Sequence, residues 1–218
     1  MNQFEYTNLE MLNVNIKEQQ PNAAIVVQRA TLEDVEGIYT VAASVGKGRK
    51  ESTKGFLMDD YSENPTHYKN KFKKNIETLQ YIYTAKKEGA IVGFLIAYTA
   101  EQWLDDNPNW LDDISWKPDF DTSKLRRFIV IDKTAIIDGM TGQGVGSKLY
   151  RTLMKDLRKA NIKHIFSETL IDPVPNFASL AFRKKQEYKL AGTRFENYKN
   201  TTYTDLIYYK TVVNENIN

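Results

Sequence analysis

Residues 125–160 read LRRFIVIDKTAIIDGMTGQGVGSKLYRTLMKDLRKA, a stretch whose pattern predicts a strand, a glycine-rich turn and a helix. Its first part, 128–137, is a nearly continuous apolar run of the kind that forms a buried strand. Its last part has the pattern of an amphipathic helix, because Leu149, Leu153 and Leu157 recur every four residues. A glycine-rich turn joins the predicted strand directly to the predicted helix.

The turn contains three alternating glycines, Gly142, Gly144 and Gly146. Glycine has no Cβ, so the backbone of such a turn can approach a ligand closely. The helix that follows contributes unpaired N–H groups and the positive end of its dipole. Strand, turn and helix N-terminus therefore predict a binding site for a phosphorylated ligand. A plain structural turn is the alternative.

Two common nucleotide-binding motifs do not fit the spacing of these glycines. A dinucleotide fingerprint, G-x-G-x-x-G, starting at Gly142 would need a third glycine where Ser147 stands. A Walker loop starting at Gly139 would need lysine and then serine or threonine after Gly144, but valine and glycine follow instead. A nucleotide-binding switch is therefore disfavoured.

The stretch resembles motif A of the GNAT superfamily, the acyl-CoA-dependent N-acetyltransferases. That motif usually reads [QR]-x-x-G-x-[GA] between a strand and the following helix, and residues 144–146 match its end. Thr141 departs from the pattern, since it stands where Gln or Arg is usual.

A second segment, 175–193 (PNFASLAFRKKQEYKLAGT), resembles motif B of the same superfamily. The common pattern there is N-x-x-[AS]-x-x-[LF]-[YH]-x-K-x-G-[FY], followed by a strand. The positions that match are Asn176, Ser179, Phe182, Lys185 and Tyr188. Two motifs in the correct order are more specific than either alone. The resemblance covers about residues 24–211 and is closest to uncharacterised bacterial members.

The resemblance implies a single α/β domain whose mixed, twisted central sheet has about six or seven strands and is flanked by helices. Residues 1–23, rich in Asn, Gln and Glu, are then an arm outside the fold, 24–213 are the acetyltransferase domain and 214–218 are a tail. Apolar runs bounded by turn residues predict strands, in addition to the central one, at 24–29, 80–86, 90–99, 164–170, 188–193 and 202–211.

The resemblance also implies acetyl-CoA as co-substrate, bound in a gap between two diverging strands. Backbone groups of Thr134, Ala135 and Ile136 would pair with the pantetheine amides. The pyrophosphate would lie on the turn and the start of the helix, at Thr141, Gly142, Gln143, Gly144, Val145, Gly146 and Ser147. Motif B would contribute Asn176, Ser179, Phe182 and Lys185. For Asn176 a simple helix cap is the alternative.

Acetyl transfer to an amine requires the neutral amine, whereas a free alkylammonium has a pKa near 10.4. Asp132 is the candidate base, because it is the only acid within the apolar strand and many family members carry Asp or Glu at this place. Charges are seldom buried without a purpose. A salt bridge to Arg126, Arg127 or Lys133 is the alternative.

The position of the general acid departs from the family pattern. Family members that use a tyrosine carry it seven positions after the motif B asparagine, and here Arg183 occupies that position. A guanidinium does not give up its proton near neutral pH. Arg183 would instead contact a CoA phosphate or lie on a solvated helix face. The departure leaves a second interpretation open, a non-catalytic acyl-CoA-binding or regulatory module.

Two further segments have an unusual composition. Residues 101–121 hold seven acidic residues and all three tryptophans. They form either a surface loop fixed by its tryptophans, or a lid whose carboxylates and aromatic faces attract a cationic amine. Residues 46–75 are basic, and a solvated helix face is favoured there over a nucleic-acid site.

The overall composition limits the remaining function classes. A net charge of +2 in 218 residues argues against a nucleic-acid partner. The absence of Cys excludes thiolate metal sites, and two histidines are too few to suggest a metal cluster. No apolar run is long enough to span a membrane, and the N-terminus lacks a secretory signal, so a cytoplasmic protein is expected. The resemblance implies a small-molecule or peptide amine as the acceptor. Its identity stays open, as does the oligomeric state, including a homodimer.

Overall fold

The computed structural model describes residues 24–198 and 200–212. The predicted arm, 1–23, and the predicted tail, 214–218, lie outside the described residues. The strands are Val26–Arg29 (β1), Tyr81–Lys87 (β2), Ala90–Thr99 (β3), Ile114–Trp116 (β4), Phe128–Ile136 (β5), His164–Asp172 (β6), Lys189–Tyr198 (β7) and Thr201–Thr211 (β8). The α-helices are Val35–Val45 (α1), Pro65–Thr78 (α2), Ala100–Asp106 (α3), Val145–Lys159 (α4) and Phe177–Lys185 (α5).

All eight strands form one mixed sheet in the order β1-β2-β3-β5-β6-β8-β7-β4. The pair β5 and β6 is parallel, and the other neighbouring pairs are antiparallel. The α/β class with a single mixed sheet is confirmed. The count of six or seven strands was too low, because the acidic insert contributes β4 at the sheet edge beside β7.

The helix predicted after the glycine turn is confirmed as α4. Leu149, Leu153 and Leu157 are fully buried, and they pack in one apolar cluster with residues of β2, β3 and β5. The opposite face of the sheet is covered by a second cluster, which includes residues of α1, α2 and α3. The solvated helix face predicted in the basic segment belongs to α2, whose Tyr68 and Phe72 are buried while residues such as Lys73 are exposed.

The sheet divides between β5 and β6. These two strands pair over only four positions, from Phe128 opposite His164 to Ile131 opposite Ser167. Both strands then continue, β5 to Ile136 and β6 to Asp172, without pairing to each other. A gap therefore opens at their C-terminal ends, as the resemblance implied.

A β-bulge marks the position where this gap begins. On the β3 side Lys133 pairs with Ile96 and Ile131 pairs with Ala97, so Asp132 is the extra residue without a partner. A bulge bends its strand and increases the local twist. The bend at Asp132 coincides with the end of pairing between β5 and β6, and we attribute the divergence to it.

The acidic insert is part of the core. Trp110 is 1% exposed, and its ring lies 5.8 Å from that of Phe128 and 6.1 Å from that of Phe166. Trp103 and Trp116 contact Trp110 edge-on. Trp110 is enclosed by this packing, whereas Trp103 also lines a cleft. The insert contains an ordered helix and an edge strand and is fixed by its tryptophans, and its role as a lid stays a prediction.

Candidate active site

The gap between β5 and β6 opens into a cleft of about 630 Å³. The loop 54–59, β5, the glycine turn, α4, β6 and α5 all contribute to its walls. Every residue predicted to bind the cofactor lines this cleft except Gln143, and so does Asp132. The side chain of Gln143 points back to the turn, where its Nε2 donates to the carbonyl oxygen of Gly139 at 3.3 Å.

The β5 wall presents free backbone groups to the gap. The N–H of Ile137 donates to the carbonyl of Val92 in the direction of β3. Because strand residues alternate in the direction of their hydrogen-bonding groups, Ala135 also points to β3, whereas Thr134 and Ile136 point into the gap. The edge is therefore available to an extended ligand that carries amide groups. Ala135 lines the cleft, but its backbone N–H and C=O groups point to β3.

The glycine turn has a backbone conformation that residues other than glycine rarely adopt. Gly142 and Gly144 have φ angles of 83° and 81°, in the left-handed region. A Cβ at either position would meet no atom within 4 Å, so the turn is open toward its surroundings. Gly144 caps α4 without a side-chain hydrogen bond. The first amides of α4 therefore remain available to an anion at the cleft.

Motif B forms the opposite wall, where Asn176 has two structural roles. Its Oδ1 accepts from the N–H of Ser179 at 3.1 Å, which caps α5. Its Nδ2 donates to the carbonyl of Phe56 at 3.0 Å and so fixes the loop 54–59 beside α5. The helix cap is thus present. A contact of Asn176 with a ligand stays a prediction.

Close packing brings the two motifs together. A Cβ at Gly146 would lie 3.4 Å from the ring of Phe182 and 3.3 Å from the side chain of Ile136. Gly146 therefore allows the first turn of α4 to approach both α5 and β5. The same contacts place Phe182 at the cleft, where its partly buried ring is available to a ligand.

Arg183 does not lie on a solvated helix face, and that expectation was wrong. Its side chain is 6% exposed, lines the cleft and lies 5.1 Å from the ring of Tyr188. Its Nε and Nη1 are buried without a hydrogen-bond partner among the described residues. Contact with a CoA phosphate stays a prediction. The side chain provides a fixed positive charge near the cleft but no proton.

Asp132 is paired with its neighbour in sequence. The Nζ of Lys133 lies 2.6 Å from Oδ2 of Asp132, and both side chains are about one-fifth exposed. Arg127 is turned away and donates to the carbonyl of Ala160. Burial acts to lower the pKa of Lys133, but the carboxylates of Asp132 and Asp59 outweigh it and raise that pKa. Lys133 therefore stays charged beside the candidate base.

The sequence interpretation missed a group of charged residues on the β6, β8 and β7 side of the cleft. They are Glu168 on β6, Asp205 on β8, and Arg194 and Glu196 on β7. We call them the acidic pocket. Arg194 lies 3.3 Å from Glu168 and 2.8 Å from Glu196. Trp110 of the insert donates to Glu168 at 2.6 Å.

Burial is the main cause of unusual ionisation in the acidic pocket. Together with the carboxylates of Glu168 and Glu196, it raises the pKa of Asp205 to about 7. Burial also raises the pKa of Glu168, against the opposing effect of Arg194. The acidic pocket therefore holds carboxyl groups that exchange protons closer to neutral pH than an exposed acid does.

Replacing Asp205 by Asn should stabilise the protein at high pH. The pKa of about 7 in the folded state exceeds the ordinary 3.8, so the folded state holds this proton more tightly than the unfolded state. The associated stability is complete below about pH 4 and is lost as the pH rises through about 7. Relative to the wild type, Asp205→Asn should gain up to about 4 kcal/mol in free energy of unfolding across that window. Urea unfolding at about pH 4, 6 and 8 measures this, and a difference that does not vary with pH would contradict it.

The mixed sheet that divides beside a glycine-rich turn, and the cleft at this division, agree with the architecture that the resemblance implied. The chain belongs to the acetyltransferase (GNAT) family, whose model matches residues 50–188. It is thus an acyltransferase by class. Among curated proteins, none matches the chain in sequence.

Solved structures show the same fold at low sequence identity. The PaiA N-acetyltransferase of Thermoplasma acidophilum, in complex with coenzyme A, is 16% identical with a TM-score of 0.58, over 86% of this chain and 99% of that one. The polyamine N-acetyltransferase of Drosophila melanogaster is 12% identical with a TM-score of 0.58, over 86% and 100%. The ribosomal-protein-S18-alanine N-acetyltransferase of Escherichia coli is 13% identical with a TM-score of 0.55, over 89% and 99%.

Two further observations concern membranes and metals. None of the described helices combines the length and the apolar character needed to cross a bilayer. In the described part of the chain, no group of three or more His, Asp or Glu side chains is arranged to hold a metal ion.

Proposed function

We propose that the protein transfers an acetyl group from acetyl-CoA to an amine by direct attack of the amine on the thioester. The observation that carries this proposal is the edge of β5 beside the N-terminus of α4, an edge with which no described strand pairs after Ile131. Thr134 and Ile136 offer amide partners to the pantetheine arm, and the amides of Gly142 and of residues 144–147 offer donors to the pyrophosphate. The residues on both sides of the gap fit such a ligand.

The chemistry follows from the same geometry. Asp132 accepts one proton from the substrate ammonium, the resulting neutral amine nitrogen bonds to the thioester carbon, and the carbon–sulfur bond breaks. The nitrogen releases its second proton to water as the amide forms. A gap-facing N–H of β5 stabilises the oxyanion that forms on the way. The departing thiolate takes its proton from water or from a side chain other than Arg183, since a guanidinium supplies none.

Two solved neighbours support parts of this proposal. The PaiA structure holds coenzyme A, and the Drosophila enzyme is described as acting on polyamines. A cytoplasmic location, the domain limits and the oligomeric state stay predictions from the sequence.

Ligand binding and thiol release together test the proposal. Coenzyme A should raise the melting temperature, because a ligand at 100 times its Kd stabilises a protein by about 2.7 kcal/mol. ATP and NAD serve as matched phosphorylated controls and should give no shift. Acetyl-CoA mixed with a panel of amines should release free thiol above the rate without amine. A shift by ATP or NAD but none by coenzyme A would refute the proposal.

The position of Arg183 favours one alternative, a non-catalytic acyl-CoA-binding module. Such a module would show the thermal shift with coenzyme A but no amine-dependent release of thiol. The second measurement therefore separates it from the enzyme.

A further inference from the structure

The acidic pocket lies on one face of three neighbouring strands. Arg194 on β7 is directly opposite Asp205 on β8, and Glu196 is two residues further on the same face of β7. Glu168 on β6 pairs with Ile207, which shares its face with Asp205. Side chains two apart on a strand point to the same side. The strand register therefore brings these four charged groups together.

Negative charge exceeds positive charge in this pocket. The guanidinium of Arg194 lies within 4 Å of three carboxylates, those of Asp113, Glu168 and Glu196. Asp205 lies in the same pocket, and the attraction of Arg194 opposes the raised pKa values of both Glu168 and Asp205. The acidic pocket itself thus combines one guanidinium with three acidic side chains, Glu168, Glu196 and Asp205. The pocket consequently attracts a cation.

Asp205 is buried, and its carboxyl group accepts no hydrogen bond from the described residues. It is 7% exposed, and no ion pair among these residues holds it. Nevertheless it lines the cleft. A buried carboxylate is costly unless it is paired. A ligand that enters the cleft with a cationic group would supply the missing partner.

Asp132 and Asp205 lie on different walls of the same cleft, and apolar groups line it as well. Asp132 is on β5, Asp205 is on β8, and the lining also includes Leu57, Met58 and Trp103. An apolar chain with an amine at each end matches this arrangement, because ammonium groups suit the carboxylates and methylenes suit the apolar side chains.

We propose that the acceptor is a diamine or longer polyamine-like cation, whose second ammonium binds Asp205 and Glu168 while the first amine is acetylated. This inference rests on the proposed function. Ammonium and carboxylate form charge-assisted hydrogen bonds, which are stronger than neutral ones. Acceptors with a neutral or negatively charged second end would leave Asp205 unpaired.

A matched pair of acceptors tests the inference. The wild type should use an α,ω-diaminoalkane with a kcat/KM at least about tenfold above that of the monoamine with the same number of carbons. Asp205→Asn keeps the shape but removes the charge, and should abolish the preference. Asp112→Asn, which changes an exposed carboxylate of the insert outside the cleft, should preserve it.

The outcomes separate this inference from the proposed function. Equal use of diamine and monoamine by the wild type, or a preference that survives in Asp205→Asn, would overturn the inference alone. Calorimetry with the diamine and the coenzyme A-loaded protein adds a readout without turnover. Diamine binding that is lost in Asp205→Asn, with no acetylation of any amine, would support the acidic pocket and overturn the proposed function. No diamine binding and no diamine acetylation would overturn the inference.

Discussion

Replacement of Gly144 by Glu is expected to weaken the binding of coenzyme A at least about 100-fold, because two effects act at one residue. Gly144 has a φ of 81°, which a glutamate adopts only with strain. Its carboxylate would also bring negative charge to the N-terminus of α4, where the pyrophosphate is expected. A Cβ there meets no atom within 4 Å, so the fold should survive. Calorimetric titration with coenzyme A measures the loss.

Gly139 provides the matched control. It has a φ of 84°, a Cβ there also meets no atom within 4 Å, and it does not line the cleft. Gly139→Glu therefore adds the same strain and the same charge at a different place on the turn, and should retain most of the affinity. If Gly144→Glu binds coenzyme A as the wild type does, the pyrophosphate assignment is wrong. If both variants lose affinity equally, the effect is not specific to the cleft.

Asp132→Asn should lower kcat by about 10²- to 10⁴-fold, the usual contribution of general acid–base catalysis. The amide keeps the size of the side chain but cannot accept the proton of the attacking amine. Affinity for coenzyme A should change little, because the backbone of β5 rather than this side chain faces the pantetheine. Steady-state rates measured across pH, together with calorimetry, separate the two effects.

Lys133→Met distinguishes a base from a salt-bridge partner. If Asp132 serves only to pair with Lys133, removal of either partner should reduce turnover by a similar factor. If Asp132 is the base, Lys133→Met should retain far more turnover than Asp132→Asn. Full turnover by Asp132→Asn at every pH would exclude Asp132 as the base. Glu168 would then be the next candidate.

Sequence patterns predicted the helices and turns whose structure depends mainly on neighbouring residues. The leucine repeat of α4 and the glycines before it act within a few residues, so the sequence alone locates both. The short strand β4 could not be predicted, because Ile114–Trp116 is extended only through its pairing with β7. The bulge at Asp132 was missed for a similar reason. The run 128–137 looks uniform, and only the register against β3 shows the extra residue.

The cofactor end of the site was easier to predict from the sequence than the acceptor end. The cofactor residues belong to contiguous motifs, and all but Gln143 reach the cleft. Asp132 was noticed as the only acid in an apolar strand, and the same criterion would have selected Glu168 in HIFSETL. Asp205 and Arg194 gave no such signal. Polar residues are common in their strands, and the side of the sheet that they face depends on tertiary register.

The division between β5 and β6 has a consequence for the order of addition. Four strands, β1-β2-β3-β5, lie on one side of the divide and four, β6-β8-β7-β4, on the other, and four residue pairs connect them. Asp132 belongs to the first half and Asp205 to the second. A donor lying between the halves would act as a spacer that fixes the distance between these two carboxylates. The acceptor pocket would then reach its final width only after the donor has bound, and the donor would enter first.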